Sequence, residues 1–379
     1  MDLTDVPVVD GHCHPLLADP WAVSPGQLTD LLSEARPGTM TAHVPHTGYF
    51  RRALHDLARR LGTEPRPEAV LERRRALGDN AGRALAESRV AALLVDTGYP
   101  PNAMALADMQ RRLPCQVSEV FRIETCAQTL LAKRLSSAEF LEAFREELHA
   151  ATHRAVALKS IVAYRSGLAV EPPRPEETAA AYRQALARVE GGGSPRLTEK
   201  PLLDALFLVA LGVARETGRP LQLHTGFGDP DIDLLQANPL LLRPVLEDAN
   251  WAEVRLVLLH MAYPYFREAA FMAAVWPQVY LDLSLALPFL GPGAIPPLVE
   301  ILSLAPSSKL LYGSDLGGLP ELFALAADWA RAALGEALDW LVERGGLTEP
   351  EGHAVGRQIL FENANALYGL PLDRSQRMP

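Results

Sequence analysis

Val6-Pro7-Val8-Val9-Asp10-Gly11-His12-Cys13-His14 carries an apolar run directly into two histidines one residue apart. On a strand, alternate side chains share a face, so His12 and His14 point one way and Cys13 the other. Two imidazoles aimed at one point suit a divalent metal. Cys13 is left to pack in the core rather than to act as a nucleophile. Further apolar runs end the same way, in a polar residue able to reach a metal: Ala155-Val156-Ala157-Leu158-Lys159, Leu221-Gln222-Leu223-His224, Val254 to His260, and Leu310-Leu311-Tyr312-Gly313-Ser314-Asp315.

Working outward, short β-branched-rich runs alternate with longer helical patterns, the signature of repeated βα units and a parallel sheet. Eight strands are predicted, over residues 6–11, 90–96, 116–123, 155–162, 220–224, 254–260, 278–284 and 309–314. Eight closes a (β/α)8 TIM barrel, in which active sites collect at the C-terminal ends of the strands. Amphipathic stretches at 102–113, 138–152, 202–217, 239–249, 266–275 and 321–335 read as the outer helices. The chain, 1–379, is read as a single barrel with a helical insertion at 20–88. That insertion leaves the first strand at its C-terminal end, where a cap over the site would sit. A second break, Glu171 to Lys200, reads as a helix between Pro-rich and Gly-rich loops.

The 379 residues are 48% hydrophobic and 22% charged, ordinary values for a globular chain large enough for a sizeable core. A net charge of −10 argues against nucleic acid or an anionic membrane as the main partner. Arg73-Arg74-Arg75 reads as a solvated helix face. Three cysteines without CxxC spacing, an N-terminus without signal-peptide character, and no uninterrupted bilayer-length apolar stretch lead to the expectation of a cytoplasmic protein.

Each candidate residue has a plainer alternative. Asp315 is either a helix N-cap for the segment after Gly317-Gly318 or a ligand that takes a proton from water, and its company favours the second. His224 is followed by Thr225-Gly226-Phe227-Gly228, a glycine-rich turn that leaves room for a ligand. A buried ammonium is costly, so Lys159 must be paired, neutralised or modified, and Glu124 is the partner at hand. Arg165, just past the fourth strand, either clamps a substrate carboxylate or pairs with Glu124 or Asp96. Tyr99, Arg122 and Tyr263 occupy comparable positions as substrate-binding candidates. His43 and His46, in the insertion, are either exposed loop histidines or residues that close over the site.

The set His12, His14, Lys159, His224, His260 and Asp315, from strands one, one, four, five, six and eight, resembles the amidohydrolase superfamily of metal-dependent TIM-barrel hydrolases. More narrowly, Leu158-Lys159-Ser160, Tyr164-Arg165-Ser166-Gly167-Leu168, Leu223-His224-Thr225-Gly226-Phe227-Gly228-Asp229, Tyr263-Pro264-Tyr265 and Tyr312-Gly313-Ser314-Asp315 are similar to the amidohydrolase-like domain fused to glutamine synthetase in FluG and nodulin-type proteins. The resemblance covers nearly the whole chain apart from residues 20–88.

The resemblance implies that His12, His14 and Asp315 hold one metal. A carboxylated Lys159 then bridges to a second held by His224 and His260; alternatively a single metal takes His224 as its fourth ligand, with His260 as acid or base. It implies hydrolysis of a C–N bond in a small carboxylate-bearing substrate, such as a γ-glutamyl amide, with Asp315 shuttling the proton. The alternatives are decarboxylase or lyase chemistry on a small carboxylic acid, and a non-catalytic role beside another enzyme. Zinc leads among the metals, with manganese, iron or nickel compatible. The expected partners are a small molecule and a second copy of the chain, with neither nucleic acid nor membrane.

Overall fold

The computed structural model describes residues 1–78, 81–101 and 103–373. Its strands are β1 Val8–Cys13, β2 Val90–Asp96, β3 Gln116–Arg122, β4 Ala155–Ser160, β5 Leu221–Leu223, β6 Leu256–Leu258, β7 Val279–Asp282 and β8 Leu310–Leu311. They form one eight-stranded sheet in the order β1 to β8, the (β/α)8 topology expected from the sequence. The β1–β2 pair and the four pairs from β3 to β7 are parallel. The segment after β8 returns to β1: Gly11 N donates to Tyr312 O at 2.9 Å and Ser314 N to His12 O at 3.1 Å. Every residue of β1 is buried, as in a sheet covered on both faces.

The helices of the insertion are α1 Pro25–Asp30, α2 Gly48–Leu61, α3 Pro67–Leu77 and α4 Ala81–Glu87. The crossovers are made by α5 Leu106–Arg112, α6 Ile123–Leu131, α7 Ser137–Thr152, α8 Pro175–Glu190, α9 Lys200–Thr217, α10 Arg243–Glu247, α11 Phe266–Val275, α12 Ala286–Leu290 and α13 Ile295–Leu304, and α14 Pro320–Glu343 follows β8.

The chain divides into two compact units, the first comprising Met1–Ser118, Gly228–Pro230 and Asp282–Pro379. In it, α2 is a helix because apolar residues recur every three or four positions at Phe50, Leu54, Leu57 and Leu61. Thr47 caps its start by accepting from Phe50 N, and left-handed Gly62 ends it. This stripe joins a buried cluster with Val70 and Leu71 of α3 and Leu322, Leu325 and Trp329 of α14. The reading of Arg73-Arg74-Arg75 as a solvated face is corrected at its centre. Arg74 is 1% exposed and makes a two-pronged pair with Glu321 at 2.9 and 3.0 Å, while its neighbours are exposed.

Two further expectations change in this unit. Ala286 to Leu304 is long and apolar enough, by composition alone, to cross a membrane. Four prolines and Gly291, at φ 57°, break it into α12, a 3-10 turn and α13. Also, β8 is only two residues long, so Asp315 lies beyond the strand rather than at its end.

The second unit comprises Glu119–Phe227 and Asp231–Leu281. Here the Glu171 to Lys200 break is the helix α8 between loops, as expected. A capping box at Ser136 and Glu139 starts α7, whose buried face carries Phe140, Phe144 and Leu148. His260 sits two residues past β6, in a 3-10 turn, again beyond the strand.

Candidate metal centre

In the first unit His12 Nε2 lies 3.0 Å from Asp315 Oδ1, and His14 Nε2 lies 3.2 Å from the same oxygen. One carboxylate oxygen thus faces two imidazole nitrogens, a His-His-Asp cluster with the donor chemistry of a divalent-cation site. His14 Nδ1 is 3.2 Å from the carbonyl oxygen of Tyr99. A carbonyl only accepts, so this contact keeps the proton on Nδ1 and leaves the Nε2 lone pair for a metal.

The backbone explains why Asp315 is held there. Its amide donates to His12 O at 2.8 Å, and Ser314 N donates to the buried Asp10 carboxylate, also at 2.8 Å. Asp315 has φ 58°, a left-handed conformation that a non-glycine residue adopts at a cost. Gly313 is required by space, because a β-carbon there would sit 2.5 Å from Asp282 Oδ2 and 3.1 Å from His12 N. The N-cap of α14 is Leu319, which removes the capping alternative for Asp315.

The insertion brings two residues toward Asp315 that sequence reasoning missed. Burial, assisted by the charges of Asp315 and Asp229, pushes the Glu34 carboxyl up to about 8. Tyr49 stacks on Phe289 at 4.2 Å, and its buried hydroxyl has no hydrogen-bond partner among the described residues. Burial, assisted by the Glu34 charge, raises the Tyr49 phenol well above its ordinary range. Neither residue lies in a motif, so nothing in the one-dimensional pattern marks them. His43 and His46 are both exposed, the plainer of their two readings.

The second unit assembles its own group. His260 Nε2 is 3.0 Å from His224 Nδ1, and the Tyr164 ring lies 4.2 Å from that of His224. His260, Met261 and Ala262 are three consecutive non-glycine residues with positive φ. Strain of this kind persists only where the surroundings over-determine it. Here Thr225 Oγ1 donates to Leu259 O at 2.6 Å, and Phe227 N to Tyr263 O at 2.8 Å. Gly226 makes the contact possible, because a β-carbon there would fall 2.3 Å from Tyr263 O. That corrects the reading of this turn: the glycine makes room for the 260–263 backbone.

Lys159 is buried on β4, in register with Arg122 of β3 and Gln222 of β5. Glu124, the partner expected for it, also meets the end of β4. One Glu124 oxygen accepts from Ser160 Oγ at 2.6 Å and Ile161 N at 2.9 Å. Burial raises the Glu124 pKa above its ordinary value. Among the described residues Arg165 pairs with Asp231 instead of Glu124 or Asp96, at a long 3.9 Å. Tyr263 packs against Phe227 with ring centroids 5.4 Å apart. Tyr99 orients His14 through its backbone carbonyl, and its ring lies T-shaped to the imidazole at 5.9 Å. Cys13 faces the core, its thiol 3.4 Å from Leu94 O.

The Amidohydrolase family model matches residues 118–370. The chain belongs to the amidohydrolase family. It is 31% identical to Protein fluG of Emericella nidulans over 96% of its own length, and it spans about half the length of that relative, 46%. A protein of Lactobacillus casei assigned as a metal-dependent hydrolase is similar in structure, at 30% identity and a TM-score of 0.84, with 97% of each chain covered. A uronate isomerase of Thermotoga maritima shares the fold, at 14% identity and a TM-score of 0.68, over 96% of this chain and 95% of that one. The His-His-Asp cluster supplies donors that suit a metal-dependent member of this family.

Proposed function

We propose that this amidohydrolase cleaves a C–N bond of a small carboxylate-bearing substrate, of the γ-glutamyl amide type, using water. The observation that carries the reading is the pair of imidazole nitrogens at 3.0 and 3.2 Å from a single Asp315 oxygen. His12, His14 and Asp315 would hold a divalent ion, zinc before manganese, iron or nickel, with Lys159, His224 and His260 as further ligands. Such an ion supplies Lewis acidity toward the amide carbonyl and lowers the pKa of water from about 15.7 toward roughly 7.

Asp315 accepts the proton released by the attacking water and returns it to the departing nitrogen. His260, hydrogen-bonded to His224, assists as acid or base when only one ion is bound. In the two-ion version Lys159 would be carboxylated, because a carbamate would replace a buried cation with an anionic ligand. Arg165 receives the substrate carboxylate, and Arg122, Tyr99 and Tyr263 border the substrate.

The test is metal analysis of the purified protein followed by turnover of γ-glutamyl amides, other small amides and small carboxylic acids. Amide hydrolysis that disappears on chelation and returns with zinc supports the reading. Carbon dioxide release from an acid, with no amide turnover, would replace it with the lyase reading.

A further inference from the structure

Two guanidinium groups in the second unit share one carboxylate oxygen. Arg196 Nη2 lies 2.6 Å from Asp231 Oδ2, and Arg165 Nη1 lies 3.9 Å from the same atom. The pair is therefore one aspartate for two arginines. Their exposures differ in a telling way: the Arg165 side chain is 11% accessible, those of Asp231 and Arg196 are 35% and 40%. Arg165 is thus the deep member and Arg196 the outer one.

A buried guanidinium normally satisfies its donors, and this one does not. Arg165 Nε is buried with no hydrogen-bond partner among the described residues, and the same holds for the hydroxyl of the adjacent Ser166. Two buried donors on consecutive residues, beside a second arginine, are of the kind that an anion satisfies. Burial, then the like charge of Arg196, holds the Arg165 pKa below its usual value, while Glu124 and Asp231 act in the opposite direction.

The position of this group ties it to the histidine pair. Arg165 and Ser166 follow Tyr164, whose ring packs on His224. Arg196, from the loop between α8 and α9, also donates from Nη2 to Tyr164 O at 3.1 Å. The loop that interrupts the βα rhythm at 191–199 thereby delivers a charged group to the segment that lines His224.

We propose that Arg165, Ser166 and Arg196 form a carboxylate-binding subsite in which Asp231 is a built-in counter-ion that the incoming carboxylate displaces. Arg165 and Ser166 take the anion at depth, while Arg196 exchanges Asp231 for it at the mouth. The subsite rests on the proposed hydrolase reading only in taking that carboxylate to be the substrate's. Asp231 keeps the empty subsite from holding stray anions, so affinity is set by competition between two carboxylates rather than by attraction alone.

The test is calorimetric titration with glutarate, with neutral glutaramide as the control, on the protein as purified and again after chelation. Binding of glutarate but not glutaramide that survives chelation is expected, because these ligands are protein groups. Arg196→Gln should weaken glutarate binding about tenfold, and Ser166→Ala a few-fold. Asp231→Asn should tighten it about tenfold, because the competing carboxylate is gone. Both Arg196 and Asp231 are partly exposed, so these variants fold even if Arg165→Gln does not. Unchanged affinity in Arg196→Gln, or weaker binding in Asp231→Asn, would overturn the subsite. The latter would make Asp231 a strut for Arg196. Amide turnover with an unaltered KM in Arg196→Gln would sink the subsite and leave the hydrolase standing. Glutarate binding that responds as expected, in a protein without amide turnover, would do the reverse.

Discussion

His14 Nδ1 faces the carbonyl oxygen of Tyr99 at 3.2 Å, so the side chain of one predicted site residue is oriented by the backbone of another. The Tyr99 side chain is not what performs this task. Tyr99→Ala should therefore leave bound metal nearly unchanged, whereas His12→Ala or Asp315→Ala should remove most metal and activity together. Elemental analysis beside turnover checks this, and wild-type activity in a metal-free protein would end the assignment.

Lys159 carries the sharpest chemical expectation. It is buried on β4 between Arg122 and Gln222 of the neighbouring strands. A carbamate on Lys159 then predicts that Lys159→Ala loses metal and activity in parallel and that short carboxylic acids restore part of both. Carbon-13 NMR of protein equilibrated with labelled bicarbonate would show the carbamate carbon. An unmodified amine beside a fully occupied single-metal centre would leave the mononuclear version.

The insertion is held to α14 by Arg74 and Glu321, whose side chains are 1% and 4% exposed. Removing one partner of a buried pair strands the other charge and costs about 3–5 kcal/mol. Arg74→Met or Glu321→Gln should each lower stability by that order in urea unfolding. Replacing both by apolar residues should recover much of it, because neither charge is then left alone.

Glu34 gives the metal-free protein a pH dependence. Its folded pKa, about 8, lies above the ordinary 4.5, so the folded state binds the extra proton between those values. Stability contributed by this group is full below about 4.5 and is lost as pH rises through about 8. Glu34→Gln should flatten that part of the stability curve measured by denaturant unfolding between pH 5 and 9. An unchanged curve would show that Glu34 titrates normally.

The fold was legible because its signal is repetitive: eight apolar runs separated by helical stretches admit few other closed arrangements. The metal-ligating candidates were legible for a related reason, since His12, His14, His224, His260 and Asp315 each stand at the end of such a run. What the sequence concealed depends on contacts distant along the chain. Arg74 sits in a run of arginines that reads as solvent-facing until Glu321 is placed against it. Glu34 and Arg196 lie in segments whose paths no periodicity predicts. The left-handed turn at His260 to Ala262 is likewise invisible in the residue types, because the Gly226 that permits it belongs to another loop.

The carbonyl of His12 accepts from both Ser314 N and Asp315 N, and Asp10 accepts from Ser314 N across 304 residues of chain. During biosynthesis His12 and His14 leave the ribosome about 300 residues ahead of their carboxylate partner. At about 5–20 residues per second, that interval is on the order of 15–60 s. Throughout it the two histidines form an incomplete chelate. The complete His-His-Asp set arises only with closure of the last strand onto the first, so a cation held by all three ligands would bind after the barrel has closed.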